Sequence, residues 1–186
     1  MTNHTSSELL SNAVAMSGAY SRPNWYSVEI SPPPGLRYKD ASLRRLSMNC
    51  SEAALPGRGF ATIVYDQGGI VPVSYPHTPI YSEIQTQFYV SDDMMEQEFF
   101  QDWHDIINPN RTSGEFEYPE KYKSTVTIRK LSRVTRDSRK TRTSANISLI
   151  RCWPSQVGDV RLAYGDRDAI CVIPVTLNYH FWERIE

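Results

Sequence analysis

The side chains able to do acid–base or metal chemistry are few and scattered. The four histidines are His4, His77, His104 and His180, and only His104 has carboxylates close by, Asp102 and Asp105. Neighbours one or two apart on a helix do not face a common point, so this trio reads as a solvated helix face rather than a metal centre. Cys50, Cys152 and Cys171 are odd in number and lack C-x-x-C spacing. That suits small buried apolar side chains in a reducing compartment better than a disulfide framework. Asp92 and Asp93 have a sufficient role at the positive end of a helix. No nucleophile elbow, phosphate-binding glycine loop or H-E-x-x-H pattern occurs. The sequence therefore holds no catalytic constellation, no metal set and no cofactor signature, and an enzyme is not expected.

The one concentration of chemistry is basic. Arg129, Lys130, Arg133, Arg136, Arg139, Lys140 and Arg142 put seven of the 20 positive charges within fourteen residues, opposed only by Asp137. Three readings are open: a hairpin tip kept basic against edge-to-edge aggregation, docking onto an acidic surface of another subunit, since guanidinium pairs bidentately with carboxylate, or phosphate binding. The last is weakened because no aromatic side chain is interleaved to stack on bases. Over the whole chain the charges cancel to -1. No global field draws it toward nucleic acid or membrane, and a charge-driven partner must be met locally.

The elements that would carry these residues are mostly strands. At 186 residues one domain is expected, large enough to bury roughly 70% of its unfolded surface. Residues 1–21, rich in Ser, Asn and Ala, read as a mobile arm, and residues 22–186 as a single β domain. The arm lacks the basic start and apolar run of a signal peptide, and no window approaches the ~20 apolar residues of a membrane span. A soluble protein made in a cytoplasm is expected, with the N-x-S/T matches at Asn3, Asn49, Asn110 and Asn146 due to chance.

"RPNWYSVEI" alternates as a strand does and ends at "SPPPG". "ASLRRLSMNC" offers a second strand. Residues 60–77 read as two short strands around a turn at 66–69, with Pro72 and Pro76 confining them to an edge or loop. "SEIQTQFYVS" is a strand with Ile84, Thr86, Phe88 and Val90 on one face. The single clear helix spans about 91–107: Ser91 can cap it, and Met95, Phe99, Trp103 and Ile106 recur at helical spacing as a stripe that packs on a sheet. "KSTVTIRKL" and "ANISLIRCW" form a long hairpin with the charged tip. The closing run "AICVIPVTLNYHFWE" alternates Cys171, Ile173, Val175, Leu177, Tyr179 and Phe181 over one long strand. The class is mainly β, an antiparallel sandwich or barrel with one packed helix.

Several of these stretches together resemble the tail tube proteins of contractile-tailed bacteriophages. They are "RPNWYSVEI", "CSEAALPG", "FFQDWHDIIN", "EKYKSTVTIRKL" and, most specifically, "CWPSQVGDVRLAYGDRDAICVIPVTLNYHFWE", in family order over about residues 22–183. The resemblance implies two packed sheets whose inner strands join those of neighbours into a barrel around a channel. It also implies six subunits per ring and rings stacked into a tube. A contractile sheath would surround that tube, baseplate and terminator proteins would close its ends, and DNA would pass through it during ejection. In that frame Trp153-Pro154 stops a strand and Gly158-Asp159 reverses the chain, a corner of the fold. A hairpin tip at 132–144, an N-terminal arm and a Pro-rich 31–35 all longer than usual leave room for a baseplate tube initiator. A nucleic-acid-binding module using the basic hairpin is the remaining alternative. A channel that passes a polyanion without holding it should be neutral to acidic, with Arg133, Arg136, Arg139, Lys140 and Arg142 pointing elsewhere, most plausibly to an adjacent subunit.

Overall fold

A computed structural model describes residues 21, 23–65, 72–112, 114–132, 142–165 and 169–185. Alternation of apolar and polar residues builds one antiparallel ribbon that folds over on itself. Its first half joins β1 (Tyr26–Ile30), β6 (Ser124–Ser132) and the start of β7 (Arg142–Val157), with β9 (Phe181–Arg184) on the far side of β7. Its second half joins the end of β7 to β8 (Val172–Asn178), β5 (Ile84–Tyr89) and β2 (Cys50–Ala53). These are sheets I and II. Their facing sides, Val28, Ile128 and Leu149 from one and Phe88, Val175 and Leu177 from the other, are fully or almost fully buried.

β7 belongs to both sheets, and the sequence expectation for it needs correcting. The strand does not stop at Trp153-Pro154; it passes through them to Val157. The turn between sheets lies just before, at Arg151, whose φ of 55° is left-handed and costs roughly 1–2 kcal/mol for a residue with a Cβ. Pro154 is tolerated because β7 has a strand partner only on the β8 side from Trp153 onward among the described residues, so its missing N–H leaves no ladder bond unmade. The same bend divides the closing run, expected as one strand, into β8 and β9. Register is continuous across it, with Trp153 opposite Asn178 and Ile150 opposite Phe181.

Helix α1 (Asp40–Met48) is a second correction, since those residues were expected to be extended. Leu43 and Leu46, three apart, share one face of a helix, and Leu46 is buried; spacing of three suits helix over strand. The main helix, α2, runs Met95–Ile107 rather than from residue 91. A turn closed by the Met94 N–H donating to the Ser91 carbonyl (2.9 Å) precedes it, and Met94 has a φ of 55°. Phe99, Phe100 and Trp103 seal the core between the sheets. A short α3 (Pro119–Tyr122) accepts the Trp103 indole N–H on the Tyr122 carbonyl at 2.8 Å. β3 (Gly59–Tyr65) and β4 (Val73–Ile80) pair only with each other among the described residues, forming an arm beside the two sheets.

Candidate assembly surfaces

The arm is the most unusual surface. Every residue of β4 is exposed, and Val64, Tyr65 and Tyr75 keep 59%, 58% and 56% of their area in water. The rings of Tyr65 and Tyr75 stand edge to face with centroids 6.3 Å apart, and the Arg58 guanidinium sits 4.9 Å from the centre of the Phe60 ring. Neither contact gives the arm a core. A two-stranded hairpin is marginal alone in water, and a contiguous apolar patch on a soluble chain marks an interaction site.

Of the basic tip, Arg133, Arg136, Arg139 and Lys140 lie outside the described residues, and Arg142 opens β7 opposite Ser132. At the base of the hairpin, Arg129 pairs with Glu29 at 2.6 Å and the Lys130 ammonium donates to the Trp25 carbonyl at 2.9 Å.

The four corner residues divide into two groups. Trp153 meets Tyr122 edge-on at 6.1 Å, and the Pro154 carbonyl lies 3.1 Å from His104 Nε2, which donates in the Nε2-protonated tautomer. Gly158 directly follows β7, and its N–H donates to the Pro174 carbonyl at 2.8 Å. A Cβ there would stand 2.5 Å from Pro174 Cγ, so close approach requires glycine. Asp159 follows in the loop beyond the strand.

In the helix stripe, Phe99 and Trp103 have no exposed area, whereas Met95 and Ile106 are half-buried at its margins. Sequence spacing missed Glu96, whose side chain has no exposed area. Its carboxylate accepts the Ser91 N–H at 3.0 Å, the Ser91 hydroxyl at 2.9 Å and the Asn49 amide at 2.6 Å, with Arg45 Nε 3.5 Å away. Burial opposes the charge, but the hydrogen bonds outweigh it and hold Glu96 below the usual carboxylate range. Ser91 five residues before a glutamate at a helix start was the available signal; Asn49 comes from a distant segment that no local pattern reveals.

Among the described residues no three His, Cys, Asp or Glu side chains are grouped to hold a metal ion, and no helix is long and apolar enough to cross a membrane. All three cysteines are free. Burial pushes the Cys50 and Cys152 thiols up to about 12, far from the thiolate form that reacts.

Comparison with known proteins agrees with this architecture. Residues 21–185 match a family model described as phage tail tube protein. A chain in the cryo-EM structure of an extracellular contractile injection system, the PVC sheath–tube complex in its extended state, superimposes with a TM-score of 0.59 at 14% identity, covering 92% of this chain and 97% of that one. One in the PVC sheath/tube terminator structure gives 0.58 at 15%, covering 90% and 98%. One in the anti-feeding prophage baseplate gives 0.58 at 12%, covering 89% and 95%. At such identities fold is what is shared. The comparison with curated proteins gives no match.

Proposed function

The chain belongs to the phage tail tube protein family, and on that premise we propose that it is a structural subunit of a contractile-tail tube. Copies form hexameric rings that stack around a channel, and DNA leaves the virion through that channel. Its partners are further copies of itself, the surrounding sheath, and the baseplate and terminator proteins at the ends. It acts in the virion tail after assembly in the host cytoplasm. The observation that carries this reading is the β3–β4 arm, with apolar and aromatic side chains exposed on both faces. Such an arm gains a core only against a neighbour, and heterologous contacts that do not close produce open-ended stacks. Solved assemblies of the same fold are described as sheath–tube, terminator and baseplate structures, in keeping with these partners.

We propose that the basic segment 133–142 reaches an acidic surface of an adjacent subunit across the ring-to-ring junction, since guanidinium pairs with carboxylate; Glu98, Glu115 and Glu120 are exposed acids of this chain. Electron microscopy of the purified protein tests the whole reading. Hollow tubes or stacked rings are expected; a monodisperse monomer at every concentration refutes it, and assembly that halts at one or two rings identifies a tube initiator instead.

A further inference from the structure

The β3–β4 arm buries none of its own residues, so whatever aims it must act where it joins the body. It does so through two short roots, residues 54–58 leading out of β2 and residues 81–83 leading into β5. Neither root is helix or strand, and neither has a buried residue. Among the described residues, the side-chain hydrogen bonds and ring contacts that tie the roots to the sheets are three. On the first root, the Trp182 indole N–H donates to the Gly57 carbonyl at 3.2 Å. On the second, Tyr81 meets Tyr179 edge-on with ring centroids 6.2 Å apart, and the Glu83 carboxylate accepts the Asn178 amide at 3.1 Å.

All three partners lie within Asn178–Trp182, the segment that carries the chain from β8 to β9. Asn178 sits opposite Trp153 in sheet II and Trp182 opposite Leu149 in sheet I, on either side of the left-handed Arg151 that bends β7 between the sheets. One root is thus fastened from each sheet, at the corner where the two meet. That corner is itself well held: Tyr179 is buried, Trp182 packs against the core, and the His180 N–H donates to the Ile150 carbonyl at 3.0 Å. Resting on the tube reading, we infer that Asn178, Tyr179 and Trp182 are positioning residues that aim the arm toward its neighbour. A hairpin with few buried contacts belongs to the least stable, most mobile part of a fold, and fastening both roots to different sheets removes the swing that one attachment would allow. An arm already held in its docking direction loses less conformational entropy when a second copy takes it up.

Nitroxides at Ser74 on the arm and Arg44 on α1, attached through ketone-bearing amino acids that leave the chain's own cysteines untouched, report the arm's direction in dilute, unassembled full-length protein. Double electron–electron resonance should give one narrow distance distribution when no other residue is changed. Trp182→Phe keeps an aromatic ring in the packing but loses the N–H donor, and Asn178→Ala releases Glu83. Each should broaden the distribution while leaving the circular dichroism spectrum unchanged, and each should raise the concentration needed for tubes by roughly fivefold, the weight of one ordinary hydrogen bond. A variant that folds yet keeps the narrow distribution overturns the assignment, and so does a broadened arm with an unchanged assembly threshold. Because the two substitutions act on different roots, misfolding of one leaves the other decisive. The distance measurement needs no assembly, so a parent that forms no tubes in micrographs refutes the tube reading while the distances still decide the anchoring.

Discussion

Replacing Glu96 by glutamine removes one charge from a fully buried site while keeping its volume. The carboxylate now satisfies three donors, the Ser91 N–H, the Ser91 hydroxyl and the Asn49 amide. With the glutamine oxygen kept toward the Ser91 N–H, its NH2 group lies where the Asn49 amide donates at 2.6 Å, so donor meets donor. The Ser91 hydroxyl can turn, and Asn49 can accept only by turning its amide over, which gives up the bond it now donates to Ser91 Oγ at 3.1 Å. Hydrogen bonds to a charged group contribute about 1.5–3 kcal/mol against about 0.5–1.5 kcal/mol for neutral ones, and loss of the negative partner 3.5 Å from Arg45 Nε acts in the same direction as this weakening. We expect Glu96→Gln to lower the unfolding free energy by about 2 kcal/mol near neutral pH. The folded-state pKa of Glu96 is depressed, so its charged-state stabilisation is fully present above the unfolded value, about 4.3, and is lost as pH falls through the folded value. The gap between parent and variant should therefore shrink on acidification below that range. Urea unfolding of dilute, unassembled protein, followed by circular dichroism at neutral pH and at successively lower pH, measures both. Equal midpoints at neutral pH, or a gap that stays constant into acid, would refute the account of Glu96 as an ionised clasp between Asn49 and the start of α2.

Three further outcomes are expected. Gly158→Ala pushes a methyl group to 2.5 Å from Pro174 Cγ, and thermal denaturation should show a loss of about 1–3 kcal/mol; an unchanged melting temperature would mean that β7 and β8 do not approach as described. Ile63→Asp with Tyr75→Asp, both on the exposed arm, should change monomer stability by only about 0.5 kcal/mol each yet abolish tubes in micrographs; intact tubes would remove the arm from the interface. Shortening 133–142 to a tight turn should leave the circular dichroism spectrum unchanged while tubes become shorter or dissolve at lower salt. Each exposed ion pair contributes only about 0–1 kcal/mol, but the contacts repeat around a ring. Tubes of equal length and salt resistance would make the tip a solvated hairpin and nothing more.

Periodicity in the sequence is enough to establish the mainly β class, the strand at Ile84–Tyr89, the β6–β7 hairpin and the aromatic stripe of α2, because each follows from side chains alternating across a strand or recurring every three to four residues. It also exposes the concentration of arginine at the hairpin tip. What it cannot convey is which strand lies beside which. Trp153-Pro154 looks like a stop until β7 is seen to leave one sheet for the other at Arg151, where among the described residues proline falls on a side with no strand to donate to. The closing run looks like one strand because its alternation survives the bend that splits it. In Asp40–Met48 the three-residue spacing of Leu43 and Leu46 is the sole helical signal, two residues in a short segment, and packing of Leu46 into the core is what makes the helix. The Glu96 clasp joins residues 47 positions apart. Local pattern fixes which face of a segment is apolar, since that depends on neighbours along the chain. Partner, bend and shared surface depend on contacts between distant segments, whose free energy appears only when the chain has closed on itself.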